Sequence, residues 1–343
     1  MRYLSIDNIE PGSFLGKPIY NSHGTILLGE HFQLTEVFLN RLKELGFVGL
    51  YIEDQVSEGI QIKDVISEQL RLEASLKLES IVKNRGSLSQ VQPIISDIVD
   101  NIIENRNVMI QMHKLLGYHS YTYTHCINVG ILSVCMGAKM GLNRDQLLKL
   151  GTAGILHDIG KNNIPKEILD KPGKLTGAEF EIIKGHPVFG YNMIKDTIEL
   201  SSVTKIGVLQ HHERCDGSGY PRGLKKDEIS LYGKIIAIAD TYDALTSDRS
   251  YRPAYSPFEA YEYLLGDGDT HYDIAIVNIF AKCIAVYPVG SCVELSDGAK
   301  AIVVKNSTLY ALRPVVRNIN TNEVIDLTND KRYLSLCITK IIE

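Results

Sequence analysis

No apolar run in this chain of 343 residues reaches the ~18–20 residues that a bilayer-spanning helix requires. The longest, around Ile235-Ile236-Ala237-Ile238-Ala239, has the length of a core segment, and no membrane span is expected. The opening residues, Met1-Arg2-Tyr3-Leu4-Ser5-Ile6-Asp7, carry neither the apolar stretch nor the small-residue cleavage site of a secretory signal. Cysteines stand scattered at 126, 135, 215, 283, 292 and 337 with no Cys-x-x-Cys pair, which argues against a disulfide framework and against a zinc knuckle. Excess positive charge is missing as well. The formal net charge is −5, which argues against a protein whose main business is wrapping nucleic acid and leaves room only for a local basic cleft. Internal repeats and low-complexity tracts are also absent. These absences describe a reduced, cytoplasmic protein with no nucleic-acid partner.

What remains is ordinary globular material. Hydrophobic residues make up 44% and charged residues 22%, enough for a sizeable core and too apolar for global disorder. Residues 1–60 read as a small α+β domain. Leu15 to Tyr20, a turn at Asn21-Ser22-His23-Gly24, and Thr25 to Leu28 form strand, turn and strand. Leu34, Val37, Phe38, Leu42 and Leu45 then recur at helical spacing, with Gly46 placed to end the helix and a short strand from Phe47 to Ile52. Residues 61–117 read as a helical connector in which Leu70, Leu72, Leu76, Leu78 and Ile81 mark no single stripe. Residues 118–285 are dominated by helical periodicity, with one apolar face at Ile127, Gly130, Ile131, Val134, Cys135 and Ala138. A second runs through Leu147, Leu150, Gly151 and Gly154 to Asp158. Thr176-Gly177-Ala178-Glu179 and Ser256-Pro257-Phe258-Glu259 match capping boxes. Residues 286–343 turn to short alternating runs around Ser296-Asp297-Gly298, a β-rich tail. The fold class is therefore mainly α, a helical bundle core with a small α+β N-terminal domain and a β-rich C-terminal tail.

Chemistry concentrates in the helical region. Of ten histidines, His23, His31, His113, His119 and His271 are isolated, and an isolated histidine is ordinarily a surface or core-filling residue. The other five are His125, His157, His186, His211 and His212. His157 is followed by Asp158, His211 and His212 are adjacent, and Asp240 lies in an otherwise apolar helix. Any one of these alone could be a helix-terminal polar group. Several ionisable groups together in a helical core are costly unless paired or metal-bound. Imidazole with carboxylate suits first-row transition metals. A carboxylate able to bridge, Asp158, suits two cations, which can clamp a phosphodiester and activate water. Lys161 supplies a cation for a phosphate oxygen. Glu213 to Pro221 is a turn-rich loop carrying Tyr220. Arg249 and Arg252, spaced i and i+3 after Asp240 and Asp243, could clamp phosphates or could pair with Asp243 or Asp248.

These blocks resemble the HD-GYP family, a branch of the HD metal-dependent phosphohydrolases (the Tyr123-Thr124-His125-Cys126-Ile127-Asn128-Val129 segment, His157-Asp158-Ile159-Gly160-Lys161, His186-Pro187, His211-His212-Glu213, Asp216 through Pro221, and Asp240 through Arg252). The resemblance covers 118–285, with the blocks in the family's order. It implies hydrolysis of cyclic di-GMP to linear pGpG or to GMP at a non-haem metal centre. It implies metal binding by His125, His157, Asp158, His186, His211, His212 and Asp240, with Asp158 bridging. Lys161, Asp243, Arg249 and Arg252 would serve the substrate, with Lys161 and both arginines on its phosphates, and Gly219, Tyr220 and Pro221 would form the loop facing a guanine.

Family members with three metals carry a glutamate one turn before the first histidine. Tyr121 stands there, and a phenol with a pKa of ~10 is a poor ligand at neutral pH. Two divalent ions per chain are therefore expected, iron or manganese ahead of zinc. Alternative readings are a phosphodiesterase of cyclic GMP-AMP or another nucleotide, and a non-catalytic receptor or adaptor. A diguanylate cyclase could dock through the Gly219-Tyr220-Pro221 loop, and a homodimer is compatible with the sequence.

Overall fold

The short apolar runs at both ends of the chain pair into antiparallel sheets. The computed structural model describes residues 1–343 except 22, 85, 87, 106–107, 112–120, 248–253 and 343, with residues 88, 89, 121 and 122 described by backbone alone. It divides into one unit of Met1–Asp64 with Val108–His119 and Ile284–Glu343, and a second of Val65–Asn107 with Ser120–Cys283.

In the first unit, β1 (Arg2–Ser5), β2 (Phe14–Leu15), β3 (Ile19–Tyr20) and β4 (Ile26–Leu28) precede α1 (Glu36–Glu44) and β5 (Gly49–Glu53). β5 lies between β1 and β2, and β3 pairs with β4 in the hairpin expected across Asn21 to Gly24. Helix α1 starts where the Thr35 side chain accepts from the Phe38 amide and stops at Gly46, whose φ of +85° suits glycine. The tail supplies β6 (Cys292–Leu295), β7 (Lys300–Lys305), β8 (Val315–Asn318), β9 (Val324–Asp326) and β10 (Ile338–Ile342), in the order β10-β6-β7-β8-β9.

The sequence reading separates residues 1–60 from 286–343, whereas in the structure they share one core. Ile6, Leu15, Ile19, Leu34 and Leu50 cluster with Val289, Cys292 and Ile302. Arg317 donates to the Val56 and Glu58 carbonyls, and Arg2 reaches both Asp54 and the Cys292 thiol. Two- and three-residue strands bury too little apolar surface to stand alone, so the two ends complete one another.

The second unit begins with α2 (Glu68–Lys83) and α3 (Gln92–Glu104). Residues read as a connector thus join the helical core. α3 buries Ile94, Ile95, Ile98, Val99 and Ile102, and both helices pack on α4 (Tyr121–Lys139), with α3 also meeting α5 (Arg144–Leu156). The α4–α5 crossing is close. A Cβ on Gly154 would lie 3.0 Å from the Gly130 Cα. There follow α6 (Lys166–Leu169), α7 (Gly177–Lys184), α8 (His186–Ile194), α9 (Ser202–Gln210), α10 (Leu231–Leu245), α11 (Pro257–Gly266) and α12 (Ile274–Phe280). Both capping boxes form, at Thr176 with Glu179 and at Ser256 with Glu259. Residues 235–239 are core, the cysteines are free thiols, and no helix among the described residues is long and apolar enough to cross a membrane.

Candidate metal centre

Helix ends deliver most of the expected ligands to one place. His157 and Asp158 directly follow α5, His211 and His212 directly follow α9, His186 opens α8, and His125 and Asp240 come from α4 and α10. The approach of α8 to the His157–Lys161 turn depends on Gly160. A Cβ there would sit 2.0 Å from the His186 carbonyl oxygen and 2.4 Å from the Gly190 nitrogen.

Asp158 stands at the middle. Its Oδ2 lies 3.3 Å from His157 Nε2, 3.7 Å from His125 Nε2 and 2.5 Å from Lys161 Nζ. Its Oδ1 lies 3.3 Å from His186 Nε2 and 4.0 Å from His211 Nε2. Asp240 Oδ1 is 3.1 Å from His125 Nε2 and 3.9 Å from His157 Nε2. Two overlapping ligand groups result, His125–His157–Asp158 and Asp158–His186–His211–His212, each with its ligand atoms within 4.8 Å of one another.

The chemistry of this donor set fits cations. His157, His186 and His211 each donate from Nδ1 to a backbone carbonyl three residues earlier, Gly154, Ile183 and Val208, at 2.7–2.8 Å. That bond fixes the tautomer and leaves Nε2 as the lone-pair atom. His186 Nε2 and His211 Nε2 then face each other at 3.1 Å, two acceptors that repel unless something positive joins them. Two nitrogens bound to one transition metal at ~2.1 Å stand about this far apart. Among the described residues, His157 Nε2 and Asp158 Oδ1 are buried without a hydrogen bond, a costly arrangement that metal ligation resolves.

The electrostatics agree. Burial lowers His186 to about 4 and holds His211 and His212 well below the usual imidazole range, so all three are neutral ligands at pH 7. Burial opposes a charge on Asp158, yet Lys161 and then His157 hold its carboxyl well below the ordinary range. For His125, burial is outweighed by hydrogen bonds to Asp240 and Asp243, and the ring rises to about 10. A cation held by His125 would take the place of that proton.

The loop closes one side. The Tyr220 ring stacks on His212 at 4.7 Å and 27°, its amide donates to the His212 carbonyl, and burial pushes its phenol upward. Gly219 is packed so tightly that a Cβ would lie 2.3 Å from the Arg214 nitrogen. Pro221 follows through a cis peptide bond. Asp243, expected as a substrate contact, is 2% exposed and bonds His125 Nδ1 at 2.7 Å instead. Its spacing from Asp240 on α10 turns it under the His125 ring. Arg249 and Arg252 lie outside the described residues, as does the side chain of Tyr121.

Two contributors had no role assigned from sequence. The buried Glu213 carboxylate accepts from the amides of Arg222 and Leu224 at 2.8 and 2.9 Å, fastening the loop across its turn. Asn128 donates to Asp243 Oδ1 at 2.8 Å. Both lie inside the quoted motif blocks, next to or three residues from a ligand histidine, and that position was the available signal.

A family model described as HD domain matches residues 93–276. A cyclic di-GMP phosphodiesterase of Pseudomonas aeruginosa is 36% identical over 226 residues, covering 65% of this chain and 54% of that protein. A cyclic di-GMP phosphodiesterase of Thermotoga maritima is 40% identical over 189 residues, 54% of this chain and 50% of that one. The chain thus spans about half the length of these curated relatives. A solved HDG"Y"P protein from Bdellovibrio bacteriovorus shares the fold, with a TM-score of 0.51 at 16% identity over 81% of this chain and 97% of that one. With its histidines and aspartates gathered into a cluster able to bind metal, the chain belongs to the HD domain family.

Proposed function

We propose that this chain is a metal-dependent phosphodiesterase that hydrolyses cyclic di-GMP to linear pGpG, with GMP as a further product. The observation that carries this reading is the pair of ligand groups sharing Asp158 beside a lysine and an aromatic loop. Two divalent cations are proposed, one held by His125, His157, Asp158 and Asp240, the other by Asp158, His186, His211 and His212. The mixed imidazole and carboxylate set suits iron or manganese. Bound there, the cations would supply Lewis acidity toward a phosphodiester and an activated water.

The chain's own groups do the rest. Lys161 is held by Asp158 through one of its protons and, 30% exposed, directs the others toward a phosphate oxygen. Asp158, kept ionised, serves both cations. Tyr220 covers His212 and, with Gly219 and Pro221, forms a wall for a guanine. Arg249 and Arg252 are proposed as further phosphate contacts. The curated relatives, named as cyclic di-GMP phosphodiesterases, support this substrate.

The test is turnover of the iron- and manganese-loaded chain with cyclic di-GMP, products separated by chromatography. Conversion to pGpG that stops on chelation is the expected result. Tight binding without turnover under either metal would instead identify a receptor. Faster hydrolysis of cyclic GMP-AMP would reassign the substrate within the cyclic dinucleotides.

A further inference from the structure

His125 differs from three of the other ligand histidines. His157, His186 and His211 are oriented by backbone carbonyls three residues earlier in their own segments, so local helical geometry suffices for them. The Nδ1 of His125 is held at 2.7 Å by Asp243 Oδ2, which comes from α10. Asp243 Oδ1 in turn accepts from Asn128 Nδ2 at 2.8 Å, and Asn128 Oδ1 accepts from Arg71 Nη1 at 3.0 Å. The amide of Asn128 is therefore engaged at both ends, and turning it over would break both bonds.

We propose that Arg71 is a positioning residue for the metal centre, acting through Asn128 and Asp243 to fix the ring of His125. Arg71 lies on α2, outside residues 93–276 that the HD family model matches, so a segment beyond the family domain anchors a ligand within it. The physical argument is satisfaction of buried polar groups. Asp243 is a buried carboxylate that keeps its place by accepting from the His125 ring and the Asn128 amide. With Arg71 removed, the Asn128 amide loses the partner that sets its orientation, its bond to Asp243 loosens, and the ring of His125 gains freedom. Loss of a partner behind a metal ligand weakens affinity by roughly 10–100-fold. Arg71 acts at one further remove, so the low end of that range applies.

The inference rests on His125 being a metal ligand and is read by metal binding, so it stands or falls separately from the choice of substrate. Metal-free full-length chain is titrated with Mn²⁺ and followed by electron paramagnetic resonance, which counts site classes and their affinities. Arg71→Met should weaken one class by about tenfold and leave the other unchanged. Arg71→Lys should recover most of the loss. Adding Arg71→Met to Asp243→Asn should cause no further loss, because both act on one chain of bonds. Asn128→Ser reproduces the effect by a second route should Arg71→Met fold poorly.

Ser75→Ala is the control. It removes the Ser75–Thr124 hydrogen bond between α2 and α4 without touching the relay, and manganese affinity should stay at the parent value. Unchanged binding in both Arg71→Met and Asn128→Ser, losses that add in the double variant, or an equal loss in Ser75→Ala would each overturn the proposal.

Discussion

Asp158 is the residue that both ligand groups share, with Oδ1 toward His186 and His211 and Oδ2 toward His125 and His157. Removing it therefore takes a ligand from each group, whereas His211→Ala leaves the His125–His157–Asp158 group whole. Elemental analysis after desalting should find Asp158→Ala stripped of both metals and His211→Ala retaining one. Glu213 acts differently, since its two carboxylate oxygens hold two backbone amides of the loop. In Glu213→Gln an NH₂ group faces one of those N–H donors. A buried donor left without an acceptor costs about 1–3 kcal/mol, so denaturant unfolding should show a loss of that size while metal content is kept.

At the scale of elements, ligand placement is a matter of where helices stop and how closely they approach. Gly160→Ala would force apart the His157–Lys161 turn and the start of α8, because the new Cβ meets backbone on both counts and backbone has nowhere to yield. The expected result is loss of metal from the His186–His211–His212 group along with lowered stability, seen by metal analysis and thermal unfolding together. Ser256→Ala tests the opposite case. It removes the side-chain acceptor for the Glu259 amide at the start of α11, and Ser256 belongs to neither ligand group. A cost of about 1 kcal/mol with unaltered metal content is expected.

For the whole molecule, the ligand histidines impose a pH dependence on the metal-free chain. His186 titrates at about 4 when folded against 6.5 in the free group, because burial disfavours its charge. Between those values the unfolded state binds more protons, so stability falls as pH drops from 6.5 toward 4. His125 is the reverse case. Opposed by burial but raised to about 10 by Asp240 and Asp243, it contributes stability that is whole below 6.5 and is lost as pH rises through 10. Thermal unfolding of the chelated protein should peak near pH 6.5. His125→Gln should flatten the alkaline limb and His186→Gln should reduce the acid limb. The core shared by the two ends of the chain gives a further expectation. Ile302 is fully buried among residues of the first sixty. Ile302→Ala should cost about 2–5 kcal/mol, and limited proteolysis should then open sites within 1–60 as well as within 286–343.

The ligand pairs His157-Asp158 and His211-His212, the capping boxes at Thr176 and Ser256, and the hairpin across Asn21 to Gly24 were all legible in the chain itself. Each is a short-range arrangement, decided by residues within a turn of one another, where side-chain acceptors, glycine and helical spacing act directly on the local backbone. Sequence also marked His125, His186 and Asp240, because residue type and motif order carried the resemblance. Tertiary structure alone decided that Asp243 supports His125, that Arg71 stands behind Asn128, that Glu213 fastens the loop, and that the first and last segments complete one core. The Glu213 bonds span about ten positions, and the other pairings join residues dozens to hundreds of positions apart. Their geometry follows from which helix faces interlock and which short strands lack enough apolar cover on their own, and both are properties of packed surfaces that no local pattern encodes.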